Sequence, residues 1–146
     1  MPKIAVIGGS GLDNPQILKN ASEKEVNNKF GQPSSVLTCG EIGGVPVVIL
    51  ARHGRNHDIM PTKVNNLANI YALKEEGCTH ILAATAVGSL RAEIKPGNLV
   101  FPSQFIDFTR HRNVTFFMEK VVHTPMSQPY DLKLTELLCR TCDQFN

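Results

Sequence analysis

A chain of 146 residues, 42% hydrophobic and 19% charged, has the length and composition of one globular domain over residues 1–146 rather than of a disordered tail. Its formal charge of +2 is small and spread along the chain, without a Lys/Arg block or an aromatic stacking series, which argues against a nucleic-acid partner. No apolar run approaches the length of a bilayer-spanning helix, and the run after Met1-Pro2-Lys3 is too short for a signal peptide, so no membrane partner is expected.

The spacing predicts a short buried strand over 3–7, running directly into Gly8-Gly9-Ser10-Gly11. Glycines there let backbone N–H groups converge on an anion, and Ser10 adds a hydroxyl; a plain tight turn is the alternative. The dinucleotide fingerprint fails because Asn14 stands where its last glycine belongs, and no Gly-Lys-Ser/Thr ending makes a P-loop. Residues 14–28 are polar with scattered apolar positions, which reads as a short helix or turn. A strand over 34–42 and a second over 45–50 flank Gly43-Gly44, the pattern of a β-hairpin.

The second hairpin strand ends in Arg52-His53-Gly54-Arg55-Asn56-His57. Four cationic or potentially cationic side chains make poor core material, since burying an unpaired charge costs several kcal/mol or more. They suit an anion: Arg presents a planar fork of donors and His a tunable one. A solvated charged loop is the bland reading of such a cluster, but the glycine turn before it and the strand end after it favour the anion. A helix is predicted over 61–76, from Pro at its first turn to Gly77 as its stop, burying Val64, Leu67, Ala68 and Tyr71. Asn65 and Asn66 lie near its start, reaching into a site or facing water.

A strand over 80–86 follows, its side chains shrinking toward Thr85 and Ala86, as they must if a ligand sits over its tip. Lys95-Pro96-Gly97-Asn98 reads as a turn. The basic and aromatic stretch 108–122 is a ligand-covering loop, a subunit contact, or a solvated loop with Phe116 and Phe117 tucked into the core. Asp131 is a good cap for a last helix with Leu134, Leu137 and Leu138 on one face. Cys39, Cys78, Cys139 and Cys142, without a secretion signal, point to a reducing cytoplasm. Cys139-x-x-Cys142 has no second pair to complete a zinc site, and His53 and His57 lack a third ligand, so no metal is expected.

In a parallel-type sheet, strand tips lie along one edge, so Ser10, Arg52, His53 and Thr85 can meet at one phosphate. At this point the chain resembles a known family. Ile7-Gly8-Gly9-Ser10-Gly11-Leu12, Arg52-His53-Gly54-Arg55-x-His57, Val64-Asn65-x-x-Ala68-Asn69-Ile70, Ala86-Val87-Gly88-Ser89-Leu90 and Gln104-Phe105-Ile106-Asp107 are similar to successive motifs of the S-methyl-5′-thioadenosine phosphorylases. These are a branch of the trimeric purine nucleoside phosphorylases. The resemblance covers nearly the whole chain. It implies an α/β fold with a twisted mixed β-sheet flanked by helices, usually assembled as a homotrimer.

The implied reaction is pentosyl transfer. Inorganic phosphate attacks the anomeric carbon of S-methyl-5′-thioadenosine, giving adenine and 5-methylthioribose 1-phosphate, with no metal or organic cofactor. Carried over by motif, Ser10, Arg52, His53 and Thr85 bind phosphate, Ala86 offers backbone near the ribose, and His123 lines the 5′-alkylthio pocket of the adjacent subunit. No side chain is assigned as a general acid, base or nucleophile.

Family members are nearly twice as long, and the half without a counterpart here carries the purine-recognising carboxylates, the ribose-contacting Met and Glu, and a further phosphate threonine. The chain is therefore expected to be a truncated form or one part of a split chain, holding half a site. An unpaired sheet edge and uncovered apolar surface should follow. Such a chain is expected to bind phosphate weakly and to lack phosphorylase activity alone. Rival readings are a purine nucleoside or methylthioinosine phosphorylase, a non-catalytic anion-binding or assembly module, and a nucleotide-cofactor oxidoreductase, the last disfavoured by the glycine spacing.

Overall fold

The computed structural model describes the chain apart from Ser10, Asp13, Phe145, Asn146 and the side chain of Pro15. In chain order its elements are β1 (Ile4–Gly8), β2 (Lys19–Lys24), β3 (Leu37–Ile42), β4 (Val45–Ala51), α1 (Asn66–Glu75), β5 (His80–Ala83) and α2 (Leu132–Asp143). Single 3₁₀ turns lie at Pro15–Ile17 and Pro61–Lys63. Two compact units divide the chain, Met1–Val87 and Gly88–Asn146.

The first unit holds the sheet, in the order β2-β3-β4-β1-β5. β1 runs parallel to β4 and β5, whereas β3 is antiparallel to β2 and β4. This is the mixed β-sheet that the family resemblance implied. Gly8 pairs with Ala51 and Ile7 with Ala83, so three strands deliver their C-terminal ends to one edge. The hairpin between β3 and β4 closes through Gly43 and Gly44 at φ +57° and +80°. Both angles are positive, as a two-residue turn compatible with strand twist requires.

Side chains alternate between two packing faces. Ala5, Ile7, Leu37, Val48 and Leu50 pack against Ala72 and Leu73 of α1. Val47 and Ile49 turn the other way, onto Leu18. β4 is buried from Val47 to Ala51, which is why its sequence is continuously apolar rather than alternating. Burying each such Val, Leu or Ile contributes about 1.5–3 kcal/mol, enough to make β4 the spine of the unit.

Several boundaries differ from the sequence expectation, each for a local reason. The polar stretch read as helix or turn contains β2, all six of whose residues are exposed. An exposed strand has no apolar alternation to read; backbone pairing with β3 makes it, with a register shift between Lys19 and Ser22. The helix expected over 61–76 begins only at Asn66, because Val64 is extended (φ −61°, ψ 121°) and Asn65 caps the first turn. Asn65 Oδ1 accepts from Ala68 N at 3.1 Å, while its Nδ2 donates to Phe30 O at 2.8 Å. The buried face of α1 is rotated from the expected one and centres on Ala68, Asn69, Ala72 and Leu73. The strand expected from residue 34 starts at Leu37, since Ser34 N donates to Asn69 Oδ1 (2.7 Å) and Ser35 Oγ accepts from Ala51 N (3.0 Å). β5 stops at Ala83, three residues short, and Ala84 N makes one last bond to Ile7 O.

The second unit is largely irregular, and none of its described residues is buried. Asn98 N closes the Lys95 turn at 3.1 Å. Asp131 caps α2 as expected, accepting from Leu134 N at 2.9 Å. Phe116 and Phe117 are 36% and 42% exposed, so they are not tucked into a core. No described helix is long and apolar enough to cross a membrane.

Candidate anion site at the strand tips

The C-terminal ends of β4, β1 and β5 meet around one guanidinium. Arg52, the first residue after β4, bonds through its backbone N–H to Gly8 O across β1. Its side chain continues in that direction. Nη1 donates to Ala84 O at 2.9 Å and Nη2 to Thr85 Oγ1 at 3.1 Å, both beyond the end of β5. A Cβ placed on Gly9 would lie 3.5 Å from Nη2, so the glycine turn after β1 touches the same fork. Nε donates to His53 Nε2 at 3.2 Å. Among the described residues no carboxylate pairs with Arg52; its partners are all neutral.

His53 has a defined tautomer. Its Nδ1 faces Ile59 O at 2.9 Å, and a carbonyl only accepts, so Nδ1 carries the proton. Nε2 is left as the acceptor for Arg52 Nε. The loop is folded tightly: Gly54 N donates to Ala51 O, His57 N to Gly54 O, and Ile59 N to His53 O at 2.9 Å. Gly54 (φ +79°) and His57 (φ +58°) take the left-handed conformations these turns need. The His57 ring lies 5.2 Å from that of His53, tilted by 41°.

Arg52, His53 and Thr85 are therefore brought together, with Ala86 next in the chain, its carbonyl accepting from Thr85 Oγ1 at 3.3 Å. Ser10 lies outside the described residues. His123 is an exposed residue of the irregular second unit. Sequence reasoning assigned no role to the Ala84 carbonyl or to the anchoring of Arg55, because neither leaves a composition signal. Asn65 carried one: an Asn three residues before a buried Ala is an N-cap pattern.

No group of three His, Cys, Asp or Glu is gathered among the described residues. All four cysteines are free. Burial pushes the Cys39 and Cys78 thiols up, so neither is a thiolate nucleophile at neutral pH. Among the described residues the site offers an arginine fork without a carboxylate partner, a hydroxyl and a glycine turn, at the tips of three adjacent parallel strands of an α/β fold.

The sequence signature of the Phosphorylase superfamily matches residues 3–146, and the chain belongs to that family. The S-methyl-5′-thioadenosine phosphorylase of Drosophila pseudoobscura pseudoobscura is 52% identical over 142 residues, covering 93% of this chain and 49% of the relative. That of Danio rerio is also 52% identical, with 93% and 51% covered. The crystal structure of methylthioadenosine phosphorylase from Schistosoma mansoni in complex with adenine superposes with a TM-score of 0.92 at 41% identity, over 99% of this chain and 52% of that one. The same enzyme in complex with tubercidin gives 0.93. The chain thus spans about half the length of the relatives it matches.

Proposed function

We propose that this chain supplies the phosphate-gripping part of a pentosyltransferase site, acting in the phosphorolysis of S-methyl-5′-thioadenosine. One observation carries the reading: the Arg52 fork, free of any carboxylate partner among the described residues, spans from the end of β4 to Thr85 beside Gly9 and His53. A phosphate dianion replaces the neutral acceptors on that fork and takes hydrogen bonds from Thr85 and Ser10. His53 Nε2, an acceptor while Nδ1–H stays on Ile59 O, takes a hydrogen bond from the O–H of a hydrogen phosphate. Phosphate oxygen then bonds to the anomeric carbon as the glycosidic bond breaks, adenine departs with the bonding pair, and the proton lost by hydrogen phosphate on forming the ester is, in balance, the one adenine takes up. The sugar passes through an oxocarbenium-like state, which the dianion beneath it both stabilises and captures. Ala86 offers backbone near the ribose, and His123 serves the 5′-alkylthio group of a neighbouring subunit in a homotrimer. The reaction uses no metal or organic cofactor, and four free thiols suit a cytoplasmic protein.

Calorimetric titration with inorganic phosphate tests the site. Arg52→Lys replaces a planar fork with a single ammonium, and its dissociation constant for phosphate is expected to rise about tenfold or more. An unchanged constant would remove the basis of the proposal. The purified 146-residue chain is expected to bind phosphate without releasing adenine from S-methyl-5′-thioadenosine; robust phosphate-dependent release refutes the half-site reading. Comparing adenosine, S-methyl-5′-thioadenosine and inosine in a chain of the relatives' length separates this assignment from a purine nucleoside or methylthioinosine phosphorylase.

A further inference from the structure

Arg55 belongs to the same loop as Arg52 but reaches the opposite way. Its Nη2 donates to Thr38 Oγ1 at 2.8 Å on β3, and its Nη1 pairs with Glu23 on β2. Thr38 is 4% exposed, whereas the Arg55 and Glu23 side chains lie at the surface, so the anchor ties an exposed pair to a buried hydroxyl. The sheet order makes the arrangement informative. From the tip of β4, Arg52 extends over β1 to the end of β5, and Arg55 extends over β3 to β2. The loop that carries both contains two left-handed residues, Gly54 and His57, and closes on itself through Ile59 N and His53 O. The same closure brings Ile59 O to His53 Nδ1. Among the described residues, Arg55 carries the side-chain bonds linking the loop to the β2–β3 side.

We propose that Arg55 is a positioning residue for the anion pocket: anchored to Thr38 and Glu23, it holds the loop so that His53 keeps the Nδ1–H tautomer and Arg52 keeps its fork over Thr85. The inference rests on the phosphate reading of that pocket. Arg55 does not touch the anion; it acts through the orientation of Arg52 and His53, as supporting groups do when they restrict the rotamers of a binding shell. A Lys in its place reaches one anchor but not both, because the two bonds use the two arms of a planar group.

Nitrogen-15 NMR of the His53 ring reports its tautomer without any ligand, and calorimetry with inorganic phosphate reports the pocket. In Arg55→Ala the His53 signals are expected to move toward a mixture of tautomers, and the phosphate dissociation constant to rise on the order of tenfold. Arg55→Lys is expected to fall between. Should Arg55→Ala fail to fold, Thr38→Val and Glu23→Gln each remove one anchor and are expected to give smaller shifts in the same direction. A fall in thermal midpoint with tautomer and phosphate affinity both at wild-type values would overturn the proposal. If phosphate affinity proves indifferent to Arg52→Lys while Arg55→Ala still shifts the tautomer, the phosphate reading fails and the positioning role stands.

Discussion

Glu76, the residue that follows α1, joins three elements. Its side chain is 15% exposed and lies 2.9 Å from Lys3 Nζ, just before β1, and 2.6 Å from Lys24 Nζ, at the end of β2. Hydrogen bonds from Lys24 and then Lys3 hold its carboxyl below the usual 4.5. A carboxyl whose value is lower in the folded than in the unfolded chain contributes stability above pH 4.5, and loses it as pH falls through the folded value. The thermal midpoint is therefore expected to decline on acidification below that point. Glu76→Gln should lower the midpoint at neutral pH, by about 1 kcal/mol of stability, and should show a shallower acid decline. Parallel acid profiles for the two proteins would mean that other carboxyls carry the effect. Asn69 is a second residue of this kind, 2% exposed and bonded through Oδ1 and Nδ2 to Ser34 N and Oγ. It is a polar group in the core that hydrophobic periodicity does not register.

At the scale of elements, the loop after β4 and the β3–β4 turn provide a controlled comparison, since each needs glycine at positive φ. A Cβ on Gly54 would stand 2.4 Å from Asp58 Oδ1, whereas one on Gly43 would meet nothing within 4 Å. Gly43→Ala bears only the left-handed penalty, about 1–2 kcal/mol. Gly54→Ala bears the same left-handed penalty and must also turn the exposed Asp58 carboxylate aside, so it should cost about as much stability as Gly43→Ala but, lying in the site loop, should also weaken phosphate binding. Chemical denaturation and phosphate titration of both variants separate the two effects. Equal phosphate affinities would mean that the loop tolerates the distortion without moving Arg52 or His53.

Across the whole molecule, buried apolar surface is concentrated in Met1–Val87, while large side chains of Gly88–Asn146 such as Leu90, Ile106, Phe108 and Val121 are at least 80% exposed. β5 pairs with β1 alone among the described strands, and three of its four residues are exposed. The expected open edge and uncovered apolar surface are both present. Local stability follows buried contacts, so amides of β1 and β4 are predicted to exchange with solvent far more slowly than those of α2. Comparable protection in α2 would require packing that its exposed face does not have. Hydrogen-exchange mass spectrometry on the intact chain measures both together.

Strong local signals made much of this legible in advance. Continuous apolar runs marked β1 and β4 because strands covered on both faces need no alternation. Gly43-Gly44 marked the hairpin because few residues accept two positive φ angles, and Asp131 marked the start of α2. The motif series identified the family, and with it the group Arg52, His53 and Thr85, before any distance was known. Tertiary structure decided what has no periodic trace: β2, a polar strand made by pairing with its neighbour; the rotation of α1 that buries Asn69; and the opposed reach of Arg52 and Arg55. Local preference and hydrophobic pattern are properties of short windows, whereas a guanidinium chooses its partners from whichever strands the sheet has already set side by side.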